Sequence, residues 1–401
     1  MKKEPLIATI LLVSMICAGC KKNTMTNENW VDKALVNAEA QAILMARSLE
    51  NQPDRLPRSS TSDGKLITSL SDWWCSGFFP GVLWLLYEDR DNPELLHYAS
   101  GFTNRISKEQ FNTSTHDLGF MLYCSYGNAL RITKNDSCKT VLMNGARSLS
   151  TRYNDKVECI QSWGASEKWR YPVIIDNMMN LEMLMWAYKE SGDSNFRHIA
   201  VSHADKTIKN HFRGDNSSYH VVSYNPGNGE VEFQGTDQGY NDDSAWARGQ
   251  AWGLYGYTMM YRETGNPAYL DQANKIASFI LNHPNLPDDG IPYWDFDSPA
   301  IPDDYRDSSS GAIIASALLE LAGYADEKTG NEYFMIAEKQ LQALSLPEYT
   351  AEVGTNSHFI LKHGVGNIPQ NSEIDAPLSY GDYYYVEALL RYKNHVNNCK
   401  K

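Results

Sequence analysis

Two aspartates stand out because their neighbours along the chain are almost wholly apolar. Asp176 follows the Val and Ile residues of 173–175, and the polar residues that come next, Asn177 and Asn180, are amides. Asp117 has a comparable setting in the segment 115–121. Loss of water disfavours a charged carboxylate, so the sequence predicts a raised pKa for Asp176. A carboxyl that is partly protonated near neutral pH can serve as a general acid.

Composition narrows the chemistry that two such carboxyls could perform. The chain of 401 residues carries 10 Trp and 24 Tyr, a net charge of -13 and no long basic run. This charge pattern argues against a nucleic-acid partner. An acidic substrate stays compatible, because a few nearby Arg, His and Trp side chains can outweigh a distant net charge at short range. Most of the rings should fill the core, but paired carboxyls in so aromatic a chain indicate carbohydrate chemistry.

The first twenty residues have the pattern of an export signal. Two lysines precede the apolar stretch 6–16, which is too short to span a bilayer, and Cys20 follows. The pattern resembles a bacterial lipoprotein signal peptide over 1–20, with Cys20 lipidated and 21–29 as a short linker. Cys17 stands where such signals usually carry an aliphatic residue, so an ordinary cleaved secretory signal is the alternative. Either way the mature protein is exported, and we expect a periplasmic or membrane-anchored lipoprotein of a Gram-negative-type bacterium.

The remaining cysteines and the motif content suggest no metal and no cofactor. Five cysteines lie outside the signal region, an odd number without a C-x-x-C pair, which indicates neither a zinc site nor a full disulfide framework. We expect them to behave as small apolar side chains. The sequence also lacks the common motifs for phosphate, dinucleotide, calcium and catalytic zinc.

One short sequence motif recurs along the chain and predicts helix boundaries. It occupies 190–196, 263–269 and 328–334, and in each copy a glycine is followed by Asp or Asn. Glycine suits the left-handed position that ends a helix, and Asp or Asn suits the start of the next one. The repeat therefore predicts that Gly192, Gly265 and Gly330 each separate two helices.

Hydrophobic periodicity predicts twelve helices that alternate in character. They are placed at 29–50, 74–88, 93–107, 117–132, 137–152, 177–190, 195–212, 243–263, 267–281, 308–325, 331–344 and 380–393. The second, fourth and every later even-numbered helix has few charges and should be buried on all sides, whereas the others are amphipathic. This alternation predicts an all-α fold, an (α/α)6 barrel in which a toroid of six inner helices is surrounded by six outer ones. We expect a single catalytic domain over 30–393.

The inner helices of such a barrel run parallel, so their N-termini open onto one mouth. Asp117, Asp176, Asp242, Asp307 and Asp382 stand near those N-termini. Aspartate is a favoured N-cap residue, and that is the expected role of the last three. For Asp117 and Asp176 the apolar surroundings favour a chemical role.

The segment 213–242 departs from the helical pattern. Residues 219–224 alternate between apolar and polar, 225–229 form a turn signal, and 230–233 can pair back. A small β-hairpin insertion is therefore expected.

The predicted helix that follows the hairpin carries a candidate anion site. Ser244, Arg248 and Trp252 are spaced by four residues and should share one helix face. An Arg flanked by Trp can clamp a carboxylate and offer a stacking surface. The alternative is an arginine that bridges neighbouring helices.

Taken in order, these motifs resemble those of glycoside hydrolase family 88, the unsaturated glucuronyl hydrolases. The likeness covers roughly 30–393, and its matching segments are 74–81, 115–120, 175–181, residue His220, 238–240, 243–252, 292–296 and 380–384. No single segment is specific, but the ordered series is. One departure is Cys75, at a position where relatives often carry Thr.

The resemblance implies an (α/α)6 barrel that acts on sugars with a 4,5-unsaturated hexuronic acid at the non-reducing end. Polysaccharide lyases leave such ends on glycosaminoglycans of the chondroitin, hyaluronan or heparin type. The implied reaction is hydration of the vinyl ether, after which the hemiketal opens and the glycosidic link breaks. A reaction of this kind needs one proton donor, so the separation of the two carboxyls would not report a retaining or an inverting outcome.

The resemblance also implies roles for individual residues. Asp176 would protonate C4 and help to activate the water that adds at C5, and Asp117 would hold the ring hydroxyls and influence the acid. His116 would contact the sugar, and His220 and Gln238 would position the water or the ring. The unsaturated uronate would be bound by Trp74, Arg248 and Trp252.

Three alternatives stay open. An unsaturated rhamnogalacturonyl hydrolase would share the barrel and the vinyl-ether chemistry, although the His116–Asp117 pair and the segment 76–81 favour the glucuronyl family. A non-catalytic sugar-binding lipoprotein and a mannosyl or glucosyl hydrolase with ordinary acid–base chemistry are the others. No motif specifies the leaving sugar, its sulfation or the oligomeric state. We expect the loop 363–372 to line the leaving-sugar subsite, with Asn371 and Ser372 in contact with that sugar.

Overall fold

The computed structural model describes residues 28–399, which form twelve α-helices. They are α1 (Glu28–Ser48), α2 (Phe78–Arg90), α3 (Pro93–Arg105), α4 (Asn128–Thr133), α5 (Asp136–Ser150), α6 (Leu181–Ser191), α7 (Ser194–Asn210), α8 (Ala247–Thr264), α9 (Pro267–Asn282), α10 (Ser308–Leu321), α11 (Glu327–Leu344) and α12 (Ser379–Cys399). A π-helix over Gly119–Gly127 runs directly into α4, and a 3-10 helix over Ile175–Asn180 runs into α6. Each predicted helix has a counterpart when the π-helix is counted with α4 and the 3-10 helix with α6, and the largest departure is α12, which ends at Cys399 and not at 393.

The even-numbered helices form a closed inner ring. Helix α2 packs against α12, α12 against α10, α10 against α8 and α8 against α6, while the π-helix connects α6 back to α2. In α10 every residue except Glu320 is buried. A helix that is apolar on all sides needs a packing partner on each of them. The predicted (α/α)6 barrel, with six inner and six outer helices, is confirmed.

The recurring glycine motif marks a helix boundary at two of its three copies. Gly192 and Gly265 have φ values of 75° and 68° and end α6 and α8. The residue after each glycine caps the next helix, because Asp193 and Asn266 accept hydrogen bonds from backbone N–H groups of α7 and α9.

The third copy was interpreted wrongly. Helix α11 begins at Glu327, capped by Asp326, so Gly330 lies inside the helix. A Cβ on Gly330 would stand 2.6 Å from the carbonyl oxygen of Ala322. The glycine therefore serves close packing against the end of the preceding helix, and a capping aspartate upstream overrides the boundary signal.

The N-cap prediction is confirmed for Asp307 and wrong for Asp242. Asp307 caps α10 by accepting the backbone N–H of Ser309. Helix α8 begins later than predicted, with Trp246 as its N-cap residue, so Asp242 lies four residues upstream. Its carboxylate instead accepts the backbone N–H of Thr236 at 2.8 Å.

The capping prediction is also wrong for Asp382, which lies within the first turn of α12. Its two carboxylate oxygens accept the backbone N–H groups of Ile360 and Leu361 at 2.9 and 2.8 Å. Burial nevertheless raises the pKa of Asp382 to about 7. This side chain fastens the loop before α12 to the barrel.

Short strands occupy three places between the helices. They are β1 (Leu56–Ser60), β2 (Leu66–Ser69), β3 (Tyr153–Asn154), β4 (Cys159–Ile160), β5 (Pro172–Ile174), β6 (Val221–Tyr224) and β7 (Val231–Gly235). The predicted hairpin corresponds to β6 and β7, and β5 adds a third antiparallel strand on the other side of β6. Ile174, the last residue of β5, pairs with Val221, the first residue of β6, so the end of β5 lies beside the start of β6.

The N-terminal predictions lie almost wholly outside the described residues. The predicted signal peptide over 1–20 is not covered, and of the predicted linker over 21–29 only the last two residues are. Among the helices between residues 28 and 399, none has the length and apolar character needed to cross a membrane. Within the same range Cys75, Cys124, Cys138 and Cys159 are free cysteines. The assignment of 30–393 to one catalytic domain stays a prediction.

Gly77 permits the contact between the start of α2 and the π-helix. A Cβ at this position would stand 2.1 Å from the carbonyl oxygen of Met121 and 2.3 Å from that of Phe120. Because both neighbours are backbone atoms, Gly77→Ala should force the π-helix away and lower the free energy of unfolding by about 1–3 kcal/mol. Chemical denaturation measures this change.

Gly101 in α3 provides the matched control. It is exposed, and a Cβ there would meet no atom within 4 Å. Gly101→Ala should raise the free energy of unfolding by roughly 0.5–1 kcal/mol, since alanine loses less entropy in a helix. A Gly77→Ala protein as stable as the Gly101→Ala protein would contradict the proposed contact.

Candidate active site

A cavity of about 370 Å³ opens where the inner helices have their N-termini. Its lining includes seven of the ten predicted site residues, namely Trp74, His116, Asp117, Asp176, Gln238, Arg248 and Ser372. His220 and Trp252 are buried behind this lining, and Asn371 is exposed on the loop that carries Ser372. The structure therefore brings the two aspartates and most of their expected partners to one place, while the role of each residue stays a prediction.

Asp176 lies at the start of the 3-10 helix that follows β5, with its side chain only 12% exposed. Burial raises the pKa of Asp176 to about 7, and the negative charge of Asp117 also raises it, whereas Arg248 lowers it. The carboxyl is therefore partly protonated near neutral pH. It can give a proton to a bound molecule and take one back at the same pH.

Asp117 is the second buried carboxyl of the cavity. Burial raises its pKa to about 7, while Thr115 and Arg152 act in the opposite direction. The Thr115 hydroxyl donates to Asp117 Oδ2 at 3.1 Å, and His116 Nε2 lies 3.2 Å from Oδ1. Burial lowers the pKa of His116 to about 3, so its ring is neutral beside the carboxyl.

A tight contact fixes the elements that carry the two aspartates. A Cβ on Gly119 would stand 2.5 Å from the Cα of Asn180, so the π-helix and the 3-10 helix meet backbone to backbone. Asn180 Oδ1 also accepts the backbone N–H of Phe120 at 3.0 Å. The spacing of the two carboxyls is thus set by main-chain packing.

His220 presents a defined tautomer to Asp176. Its Nδ1 accepts the backbone N–H groups of Asp237 and Gln238 at 3.1 and 3.2 Å. The ring proton must therefore reside on Nε2, which lies 3.7 Å from Asp176 Oδ2. Burial and nearby positive charges hold the pKa of His220 well below its usual range, so the ring is a neutral N–H donor.

Asp176 and His220 lie side by side because β5 pairs with β6. The backbone N–H of Ile175 donates to the carbonyl of His220 at 3.0 Å, directly beyond the paired residues Ile174 and Val221. A shift of one residue in this register would turn the side chains to opposite faces. The ring of His220 is packed between Trp246 and Trp163, with centroid distances of 4.6 and 5.7 Å.

Arg248 is almost fully buried in the first turn of α8 while it lines the cavity. Its Nη1 donates to the carbonyl of Val365 and lies 3.4 Å from Asp307 Oδ2, and Nη2 donates to the carbonyl of Gly366 at 2.7 Å. The guanidinium therefore bridges neighbouring elements, which was the alternative to a carboxylate clamp. Binding of a substrate carboxylate by Arg248 stays a prediction.

The expected shared face of Ser244, Arg248 and Trp252 is only partly formed. Ser244 precedes α8, and its hydroxyl donates to Asp295 at 2.8 Å. Trp252 is fully buried and packs against Phe120 at a centroid distance of 5.1 Å. Its indole N–H makes a small contribution to lowering the pKa of Asp176, although no group among the described residues accepts a hydrogen bond from it.

Aromatic rings separate the cavity from the rest of the barrel interior. Trp74 lies 4.9 Å from Tyr380 and 5.6 Å from Phe120, measured between ring centroids. A larger cavity of about 720 Å³ lies beyond them, and its charged lining includes Arg262 and Glu387. Neither aspartate of the candidate site lines that second cavity.

Several lining residues were missed by the sequence analysis. They are Arg58, Trp73, Trp163, Asp237, Glu373 and Tyr380, whereas Gln370 lies on the loop 363–372 that was expected to line the site. Trp73 and Tyr380 adjoin or belong to segments that had been singled out, so position along the chain could have indicated them. Arg58 lies on β1 and had no signal, yet its Nε donates to Glu373 at 2.6 Å and its guanidinium stacks 4.0 Å above the ring of Trp73.

Among residues 28–399 there is no group of three or more His, Cys, Asp and Glu side chains that could hold a metal ion. The polar groups that line the cavity include carboxyls, the neutral ring of His116 and the guanidinium groups of Arg58 and Arg248. Such a set can donate and accept protons and can hold the hydroxyl and carboxylate groups of a sugar acid.

The sequence matches the model of Glycosyl Hydrolase Family 88 over residues 44–398. It is 42% identical to an unsaturated glucuronyl hydrolase from Formosa agariphila, over 98% of this chain and 99% of that protein. The fold is similar to the crystal structure of an unsaturated glucuronyl hydrolase specific for heparin, with a TM-score of 0.89 and 47% identity over 92% of this chain and 98% of that chain. A mutant unsaturated glucuronyl hydrolase from Streptococcus agalactiae, complexed with dGlcA-GalNAc6S, superposes with a TM-score of 0.75 and 27% identity over 91% of this chain and 92% of that chain.

Proposed function

The chain belongs to glycoside hydrolase family 88, and we propose that it removes 4,5-unsaturated glucuronic acid from the non-reducing end of glycosaminoglycan oligosaccharides released by lyases. The observation that carries this proposal is the pair of buried carboxyls, Asp117 and Asp176, each with its pKa raised to about 7. A proton donor of this kind is what an enol ether needs. The relatives named above support the substrate class.

The proposed reaction is hydration of the double bond. Asp176 transfers its proton to C4 of the unsaturated ring, which leaves positive charge at C5 shared with the ring oxygen. Water adds at C5 as the Asp176 carboxylate accepts a proton from it, so the carboxyl is regenerated. The resulting hemiketal opens, and the bond to the leaving sugar breaks without direct attack at the anomeric carbon.

The neighbouring groups have proposed roles that follow from their chemistry. His220 is neutral with its proton on Nε2, so it can orient the water or a ring atom without supplying a second acid. Asp117 raises the pKa of Asp176 and lines the same cavity, where it can bind ring hydroxyls. Trp74 offers an aromatic surface at the cavity wall, and Arg248 supplies the positive charge that suits a uronate.

Replacement of the proton donor tests the proposal. Asp176→Asn keeps the size of the side chain but removes the acid, so turnover should fall by at least about 10²-fold. Turnover is followed as loss of the enol-uronate absorbance with a panel of unsaturated chondroitin, hyaluronan and heparin disaccharides. Wild-type turnover in D2O should place deuterium at C4, and labelled water should place its oxygen at C5.

Asp382→Asn is the matched control for this replacement. Asp382 is also a buried aspartate with a pKa raised to about 7, but it does not line the cavity. Its replacement should leave the isotope pattern intact. Undiminished turnover by Asp176→Asn would overturn the residue assignment, and faster cleavage of an unsaturated rhamnogalacturonan disaccharide would favour the alternative hydrolase. Binding of the unsaturated disaccharides without any loss of absorbance would favour a binding protein.

We propose that the loop 363–372 contributes to the choice of leaving sugar. Ser372 and its neighbour Glu373 line the cavity, whereas Asn371 is exposed at the turn of the loop. Ser372→Ala should therefore change the ratio of kcat/KM for sulfated over unsulfated disaccharides, and Asn371→Ala should change it less. Equal ratios in wild type and both variants would remove the loop from the substrate site.

We propose that the mature protein is an exported lipoprotein anchored through Cys20. The support is the sequence alone, a basic start and an apolar stretch that ends at this cysteine. In a bacterial host, wild type should label with a radioactive fatty acid and fractionate with membranes, and Cys20→Ser should do neither. Equal labelling of the two proteins would contradict the anchor.

A further inference from the structure

Asp307 is a fully buried carboxylate that joins three parts of the barrel mouth. As the N-cap of α10 it accepts the backbone N–H of Ser309 at 3.1 Å and its hydroxyl at 2.7 Å, and the hydroxyl of Ser310 also donates to it. The backbone N–H of Val365 donates to the same side chain at 3.2 Å. Arg248 of α8 completes the set, with Nη1 3.4 Å from Asp307 Oδ2.

Arg248 pairs with this carboxylate and also lines the cavity that holds the proposed proton donor, Asp176. Burial opposes the charged form of Arg248, whereas negative charge on Asp307, Asp176 and Glu373 favours it. The guanidinium also donates to the carbonyls of Val365 and Gly366. Asp307 does not line the cavity, so it has no route to the substrate except through Arg248 and this loop.

On the basis of the proposed function, we propose that Asp307 is a positioning residue of the reaction. It holds the Arg248 guanidinium between α10 and the backbone of 365–366, and it offsets part of the positive charge that Arg248 directs at Asp176. In this way one carboxylate outside the cavity adjusts how readily the proton donor keeps its proton.

The electrostatic surroundings of Asp176 define what should happen without Asp307. The groups that influence Asp176 are Arg248, Asp117 and the indole N–H of Trp252, and the neutral ring of His220 lies beside it. Arg248 is the positive charge among them, and its nearby positive charge lowers the pKa of a carboxyl. With Asp307 uncharged, more of the Arg248 charge is felt at Asp176, and the pKa of Asp176 should fall.

Asp307→Asn separates this electrostatic role from helix capping. Asparagine caps helices as well as aspartate does, but it brings no negative charge. We expect the pH at which kcat falls on the alkaline side to move down by about one pH unit. Above that pH, kcat should drop roughly tenfold, because a correspondingly smaller fraction of Asp176 is protonated.

A second measurement does not depend on catalysis. Protein labelled with ¹³C at aspartate carboxyl carbons is titrated by NMR, and the Asp176 signal is assigned from its absence in Asp176→Asn. The pKa of Asp176 should be about one unit lower in Asp307→Asn than in wild type. Asp307→Ser, which also caps without charge, is the second variant if the amide does not fold, and it should shift the pKa in the same direction.

Two controls distinguish charge from simple loss of structure. Ser309→Ala removes a hydroxyl that donates to Asp307 but leaves the charge, and Asp382→Asn removes a buried carboxyl that does not contact Arg248. Neither should move the Asp176 pKa. An unchanged or raised pKa in both Asp307 variants would overturn the proposal. If wild type consumes no unsaturated disaccharide, the proposed function fails while the NMR titration still decides the role of Asp307.

Discussion

The removal of two carboxyls from water at one end of a helical barrel is the constraint on which the rest of this structure depends. Asp117 and Asp176 are each disfavoured as anions by burial, and the negative charge of Asp117 raises the pKa of Asp176 further. A nearby arginine lowers the pKa of each carboxyl, Arg152 that of Asp117 and Arg248 that of Asp176. Each carboxyl is therefore partly protonated near neutral pH, which is the state that the proposed proton transfer to a double bond requires.

The charged groups that set the pKa values of the two aspartates are themselves buried, so their positions must be fixed precisely. Arg248 is almost without exposure, and removing one partner from a buried ion pair commonly costs about 3–5 kcal/mol. Here the guanidinium is satisfied by Asp307 and by two loop carbonyls instead of by a single anion. The same contacts fix the loop that forms one wall of the cavity, so electrostatics and the shape of the site are set together.

The barrel provides the geometry because its inner helices start at one mouth and its interior is divided by aromatic rings. Trp74 lines the cavity and packs against Phe120, which in turn packs against the buried ring of Trp252. The three-stranded sheet forms a further side of the site, because the pairing of β5 with β6 places His220 beside Asp176, the proposed proton donor. The cavity thus combines aromatic surface with polar and charged groups, which suits binding of a charged sugar.

The sequence by itself determined the helices, the alternation that makes a barrel and the choice of the two aspartates as candidate site residues. These are local properties, because helical periodicity and an apolar run around a carboxyl can be recognised within about ten residues. Tertiary structure decided which residues meet. Arg58 and Glu373 are 315 positions apart, and Arg248 is 117 positions from the carbonyl it binds, so no local pattern could pair them. The register of β5 on β6 and the true role of Gly330 likewise depend on backbone packing between segments, and packing of that kind leaves no periodic signal in the chain.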